Sequence, residues 1–166
     1  MASTYSFDVT TGVDMQEVDN AINQAQKEVA QRYDFKGSQA AVEFKRAEAL
    51  LDMVADSEFQ MQQLFDVVQS KLIKRGIPVK NLDIGEIKQA GGNTVKREVK
   101  LKTELDGETA KKVSASLKAA KIKKVQASIQ GEQVRVTSPS KDDLQDAIQH
   151  LRSEDFGVEL QFGNFR

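Results

Sequence analysis

The polar and apolar positions of this chain spell one order of elements twice: strand, helix, strand, strand, helix, strand. Tyr5, Phe7 and Val9 alternate with Ser6, Asp8 and Thr10, which predicts a half-buried strand. Asp14 with Glu17 forms a capping box. Met15, Val18, Ile22, Ala25 and Val29 follow at spacings of three and four, the apolar stripe of a helix ending near Tyr33. Val42 and Phe44, then Ala49 to Val54, predict two short strands turning at Lys45-Arg46. Ser57 with Gln60 opens a second helix that buries Met61, Leu64, Val68 and Leu72. Gly76 suits its C-terminal cap, and Pro78 prevents continuation. A strand from Leu82 to Ile87 closes the first pass.

The second pass repeats the order. Val95, Arg97, Val99 and Leu101 alternate with Lys96, Glu98, Lys100 and Lys102. Asp106 caps a helix with Ala110, Val113, Leu117 and Ala120 facing inward. Val125, Ala127 and Ile129 predict a strand, Gly131-Glu132 a tight turn, and Val134 and Val136 its hairpin partner. Ser140 with Asp143 starts the last helix, striped by Leu144, Ala147, Ile148 and Leu151. Val158, Leu160 and Phe162 predict the closing strand. The fold class is therefore α+β: two tandem ferredoxin-like (βαββαβ) domains, each an antiparallel sheet covered by two helices on one face. The breaker cluster Gln89-Ala90-Gly91-Gly92-Asn93 places the boundary, giving domains 1–90 and 94–166.

Such sheets leave one face free, and its residues carry the functional question. If the valines of the second pass face the helices, the open face shows Lys96, Lys100, Lys102, Gln126, Ser128, Gln130, Gln133, Arg135 and Thr137, with Glu98, Glu159 and Gln161. These are donors suited to phosphate oxygens and base edges. The bland alternative is a wetted face.

Charge sharpens this picture slightly. Val95 to Val125 holds ten Lys or Arg against four Asp or Glu, a local +6 that leaves −7 for the rest of a chain whose net charge is −1. That segregation suits an anionic partner for one half, or ordinary surface lysines. The absence of cysteine excludes disulfides and thiolate metal sites and is compatible with a reducing cytosol. No apolar run reaches the roughly 18 residues that span a bilayer, and Met1-Ala2-Ser3-Thr4 does not read as a secretory signal. The expectation is a cytoplasmic protein without membrane partners.

Catalytic chemistry is sparse. His150 is the sole histidine, without a Ser or Cys nucleophile motif, and reads as a surface or capping residue. No H-E-x-x-H, calcium loop or cysteine cluster is present, and Gly91-Gly92 lacks the Lys-Ser/Thr of a P-loop. We therefore expect no enzyme, no metal and no cofactor. The strands Val125 to Ile129 and Val134 to Val136 carry no aromatic ring, so the stacking platform of RNA-recognition domains is missing. Phosphate contacts could still bind RNA in a salt-sensitive way.

Several segments resemble the YajQ family of bacterial nucleotide-binding proteins. They are Ser6-Phe7-Asp8-Val9, Asn20-Ala21-Ile22, Arg32-Tyr33-Asp34-Phe35-Lys36-Gly37, Lys74-Arg75-Gly76, Lys124 to Gly131, Val134-Arg135-Val136-Thr137, Asp142-Asp143-Leu144-Gln145 and Leu160 to Arg166. They run in order across almost the whole chain. Where the family tends to carry a Gly-Lys-Lys-Arg-like run, this chain has Ser138-Pro139-Ser140-Lys141, with Lys141 its basic residue.

The resemblance implies two tandem ferredoxin-like domains, with exchange of their first strands as a variant. In that variant Tyr5 to Val9 joins the second sheet and Val95 to Leu101 the first, which splits the open-face residues between sheets. It also implies a nucleotide ligand: a guanine nucleotide or cyclic dinucleotide such as cyclic di-GMP, with RNA (tRNA) also linked to relatives. A protein partner such as a transcription regulator would receive the signal. The nucleotide-binding candidates are Arg32, Phe35, Lys36, Lys96, Lys100, Gln126, Arg135 and Lys141. At the Arg32-to-Gly37 segment, Arg32 and Lys36 could hold phosphates while an aromatic ring stacks on guanine. The competing reading makes Tyr33 and Phe35 core and pairs Arg32 with Asp34. The expected function is that of a non-enzymatic nucleotide-binding effector responding to cyclic di-GMP. The alternatives are an RNA-binding module and a protein-interaction adaptor.

Overall fold

A computed structural model describes residues 4–166; residues 1–3, part of the start read as lacking a secretory signal, lie outside the described residues. In chain order the elements are β1 (Tyr5–Thr10), α1 (Met15–Gln31), β2 (Ala41–Lys45), β3 (Leu50–Ala55), α2 (Glu58–Lys74), β4 (Leu82–Ile84), β5 (Lys88–Ala90) and β6 (Thr94–Leu101). There follow α3 (Gly107–Ala119), β7 (Gln126–Gln130), β8 (Gln133–Ser138), α4 (Lys141–Arg152) and β9 (Gln161–Gly163). All four helices begin where the sequence caps them. The side chains of Asp14, Ser57, Asp106 and Ser140 each accept from backbone N–H groups of the first turn, which satisfies donors that a helix start leaves unpaired.

The strands form two antiparallel sheets, ordered β7-β8-β1-β9 and β2-β3-β6-β4, with β5 also pairing on β6. Both orders are those of a ferredoxin-like sheet, with one substitution. The strand in the first-strand position is β1 in the later sheet and β6 in the earlier one. The first strands are exchanged. β1 lies between β8 and β9, in register Phe7↔Val136 and Val9↔Phe162. β6 lies between β3 and β4, in register Val99↔Leu51 and Leu101↔Leu82.

The compact units follow this exchange and differ from the contiguous halves 1–90 and 94–166. One unit comprises the residues up to Gly12 together with Thr103–Arg166; the other is Val13–Lys102. Of the Gln89-to-Asn93 breaker cluster, Gln89 and Ala90 end β5 and Gly91 to Asn93 turn the β5–β6 hairpin, inside the second of these units. Turn chemistry looks the same at a hairpin and at a domain boundary, which explains the difference.

Each unit has its own core. In Val13–Lys102, Val18, Ala21, Ile22 and Ala25 of α1 pack with Met61, Leu64, Val68 and Leu72 of α2, over Leu51, Met53, Val95 and Val99 of the sheet. In the other unit, Phe7 and Val9 are wholly buried with Val134, Val136, Val113, Leu117, Leu144 and Leu151. Two strands are shorter than the hydrophobic pattern predicts. The one expected over Leu82 to Ile87 breaks after Ile84, and the one expected from Val158 is a strand only at Gln161–Gly163.

Candidate functional site

The most site-like geometry lies where β1 and the C-terminal strand meet the start of α4. Asp8 stands opposite Gly163, whereas Ser6 exchanges both backbone hydrogen bonds with Arg166, at 3.2 and 3.0 Å. Between these pairs one residue of β1, Phe7, faces two on its partner, Asn164 and Phe165. The extra residue is a bulge at Asn164, whose φ of 53° is left-handed. The bulge is fixed from the side: Asn164 Nδ2 donates to Asp8 Oδ2 at 2.7 Å. Arg135 donates to both oxygens of the same carboxylate, Nε to Oδ1 at 2.9 Å and a terminal nitrogen to Oδ2 at 3.3 Å. Asp8 is only 5% exposed. The hydrogen bond from Arg135 holds its carboxyl below the usual range, against the opposing effect of burial, with Asn164 contributing.

Beyond the bulge, Phe165 stands 6.0 Å from the buried Phe7 ring, yet remains 60% exposed. Lys141, the first residue of α4, places its Nζ 4.8 Å from the centre of the Tyr5 ring. Tyr5, Ser6, Lys141, Leu144, Gln145, Phe165 and Arg166 line a groove of about 280 Å³. Its walls offer two aromatic rings and two cations, a combination suited to a base and its phosphate.

The other predicted residues fall elsewhere. Gln126 lies on the same sheet as Arg135, opposite Thr137. With Ser128, Gln130, Gln133 and Thr10 they make the face of that sheet rich in amides and hydroxyls. Arg135 is the only cation in β7, β8 and β1, and Asp8 engages it. Lys96 and Lys100 belong to the other sheet, as the exchanged arrangement requires. There the acidic row Glu43, Asp52 and Glu98 lies between them in register. The single cationic face expected for a contiguous second domain is therefore replaced by one polar face whose cation is paired with Asp8 and one of mixed charge.

The Arg32 segment is a short 3-10 turn at the exit of α1. Arg32 bonds Asp34 at 2.7 and 3.0 Å and Glu28 at 3.2 Å, and its guanidinium stacks 5.2 Å over Phe35. Asp34 above all, then Glu28, raises the Arg32 pKa further. Phe35 is 4% exposed and offers no free ring face, while Lys36 is exposed. Of the competing reading, the core placement of Phe35 and the Arg32–Asp34 pair match the structure. Tyr33, at 91% exposure, does not.

Sequence reasoning missed Tyr5, Phe165 and Arg166 as partners of Lys141. The signal was present, because the Leu160 to Arg166 run is part of the family resemblance, but Gly163-Asn164 marks only a local irregularity and not that it turns Phe165 toward Phe7. It also missed a neighbour of His150. The Ser116 hydroxyl lies 2.8 Å from His150 Nε2 and 2.8 Å from Glu154, linking α3 to the end of α4. Glu154 meets the same imidazole nitrogen, at 3.3 Å. The ring is thus not held between carboxylate and hydroxyl as in a proton relay. Among the described residues, no group of three or more His, Cys, Asp or Glu side chains is placed to hold a metal ion, and no helix is long and apolar enough to cross a membrane.

These features define the class: an α+β protein of two ferredoxin-like units with exchanged first strands, and a groove lined by rings and cations. Its family follows from similarity. The family model described as "Nucleotide-binding protein YajQ-like" matches residues 5–166. A nucleotide-binding protein of Chloroherpeton thalassium is 45% identical over 166 residues, the full length of both chains. One of Desulfitobacterium hafniense is also 45% identical, and one of Bacillus cereus (strain AH187) 44%, each over the same full length. The chain belongs to the YajQ-like nucleotide-binding family.

Proposed function

We propose that this protein is a non-enzymatic nucleotide-binding effector. It takes a guanine nucleotide, cyclic di-GMP first among them, in the groove between Tyr5, Lys141 and Phe165-Arg166, and passes the bound state to a protein partner in the cytoplasm. The observation that carries this reading is the convergence of two aromatic rings and two cations on one groove of about 280 Å³. A space just below the roughly 300–1,000 Å³ of small-molecule sites suits one base and its adjoining phosphate, with the rest of a dinucleotide extending along the surface. The names of the relatives support a nucleotide as ligand. The RNA reading has less support, because the one cation of β7, β8 and β1 is engaged by Asp8.

The test is calorimetric titration of the full chain with cyclic di-GMP, GTP and a short RNA at about 0.15 M salt, where screening is near physiological. Saturable binding of cyclic di-GMP is expected, weakened about tenfold or more by Lys141→Ala or Phe165→Ala, in line with about 1.4 kcal/mol for each tenfold. Nucleotide recovered unchanged after long incubation with magnesium is the companion result for a protein that is not an enzyme. Binding of RNA alone, collapsing as salt rises, would replace this reading with the RNA module.

A further inference from the structure

Each sheet ends in two edges, and an edge is a row of unpaired N–H and C=O groups on which another chain can pair. Among the described residues, all but one of these edges are guarded. β2 carries the charged Glu43 and Lys45. β9 is three residues long and runs into the Asn164 bulge. On the outer side of β6, β4 and β5 are three residues each, with a break between them. β7 is the exception. Its residues, Gln-Ala-Ser-Ile-Gln, hold no charge and no proline, and all of them pair with β8 in unbroken register. Among the described residues, no strand lies on its other side.

The hairpin geometry shows which backbone groups are left over. A two-residue turn joins β7 to β8, with Gly131 at φ 62° and Glu132 outside the left-handed region, the pattern of a type II′ turn. Such a turn closes on a hydrogen-bonded pair, here Gln130 and Gln133, and bonded pairs then alternate along the ladder. Gln126, Ser128 and Gln130 therefore bond to β8. Ala127 and Ile129 turn their N–H and C=O groups to the open edge. Ile129 shares the helix-covered face with its neighbour Val134, yet it keeps 43% of its surface exposed.

We propose that β7 pairs antiparallel with β7 of a second copy of this chain, about a two-fold axis at Ser128, joining two four-stranded sheets into one continuous sheet. In this register Ala127 stands opposite the partner's Ile129, and Ile129 opposite the partner's Ala127. Both are hydrogen-bonded pairs, so every outward N–H and C=O group of these residues finds a partner. A small side chain beside a large one also covers the exposed Ile129. Charge selects a second copy as the occupant. Lys124 precedes β7 by two residues and Glu132 follows it by two, and both are exposed. The two-fold brings each Lys124 level with the partner's Glu132. That end of the strand needs a cation, because the Glu132 carboxyl hydrogen-bonds that of Glu104 and, with its like charge, raises the Glu104 pKa. In-register parallel pairing would instead set Lys124 against Lys124. Pairing closes the edge, so assembly stops at the dimer. The contact draws on none of the groove residues and stands or falls apart from the nucleotide reading.

The experiment is sedimentation equilibrium of the full chain over a range of concentrations. The expected result is a monomer–dimer equilibrium with a dissociation constant on the order of 10–100 μM, as befits a contact smaller than a standard interface. Ile129→Lys puts on this edge the kind of charge that guards β2. It should leave the thermal midpoint nearly unchanged, since the side chain is partly exposed, and weaken the dimer about tenfold or more. Lys124→Glu and Glu132→Lys should each weaken it as well. An equimolar mixture of those two variants should dimerise as the parent does, because only the mixed dimer sets unlike charges together at both ends. Amide hydrogen exchange locates the contact: Ala127 and Ile129 should slow as concentration rises, while Ser128, bonded to β8 in both states, should not change. A chain that stays monomeric to about 1 mM overturns the proposal and leaves the edge to an extended segment of another protein. A dimer that leaves the exchange of Ala127 and Ile129 unchanged overturns it too, as do species larger than the dimer or a mixture of the charge variants that stays monomeric.

Discussion

Asp8 is a carboxylate that the fold has removed from water and given three donors. Its pKa is lowered first by the hydrogen bond from Arg135. For an acid whose folded pKa is depressed, the stabilisation is complete above the ordinary value of 3.8 and is lost as pH falls through the lower folded value. Asp8→Asn should therefore cost about 1–2 kcal/mol at neutral pH. In urea denaturation, the gap between the variant and the parent should narrow as pH falls below 3.8. A gap of constant size would mean that shape, not charge, is what Asp8 supplies. The two aromatics of the Arg32 turn give a second test. Phe35→Ala should cost about 3 kcal/mol, as truncation of a buried ring does, while Tyr33→Ala should stay within about 0.5 kcal/mol. Their thermal midpoints would separate them. Sequence alone could not, because Tyr33 and Phe35 sit two apart in a turn with no helical or strand period to assign their faces.

At the level of elements, what was legible depended on whether a local chemical signal marks the boundary. Helix starts are marked by side chains that accept from the first turn, and Asp14, Ser57, Asp106 and Ser140 are all found doing so. Strand bulges are set by pairing with residues far away, so Gly85 and Gly163-Asn164 mark a local irregularity without showing which partner strand or register it serves. Much of the candidate site depends on those bulges: Lys141 was legible as a cation at a helix start, but its neighbours Phe165 and Arg166 were placed by the bulge. The break after Ile84 makes a testable demand on Gly85. Gly85→Ala would push a Cβ against the backbone oxygen of Glu98, and backbone has no rotamer by which to yield. A loss of about 1–3 kcal/mol is expected, with hydrogen exchange accelerated at Lys96 to Glu98. Unchanged stability would show that β4 and β5 can part without cost.

Across the whole molecule, the sequence displays the repeat but hides the exchange, because β1 and β6 carry the alternation that either sheet needs in its first-strand position. Phe7 and Val9 fill one core; Val95 and Val99 fill the other. The exchange also divides the basic stretch from Val95 to Val125, leaving Lys96, Arg97 and Lys100 in one unit and Lys111, Lys112 and Lys118 in the other. The +6 is therefore a property of the chain's order and not of one surface. Folding autonomy should follow the units. Every residue of one core lies within Val13–Lys102, so a fragment of residues 13–102 should fold alone, with dispersed NMR signals and a cooperative thermal transition. A fragment of residues 94–166 keeps α3, β7, β8 and α4 but lacks Phe7 and Val9, which are both wholly buried in that core. It retains β6, whose Lys96, Glu98 and Lys100 sit on the exposed face of another sheet. That fragment should remain unfolded until a peptide spanning β1 is added, which restores the missing central strand and its two core side chains. Cooperative folding of residues 94–166 without the peptide would show that β6 can take the place of β1, and that the exchange is one of two arrangements this sequence supports.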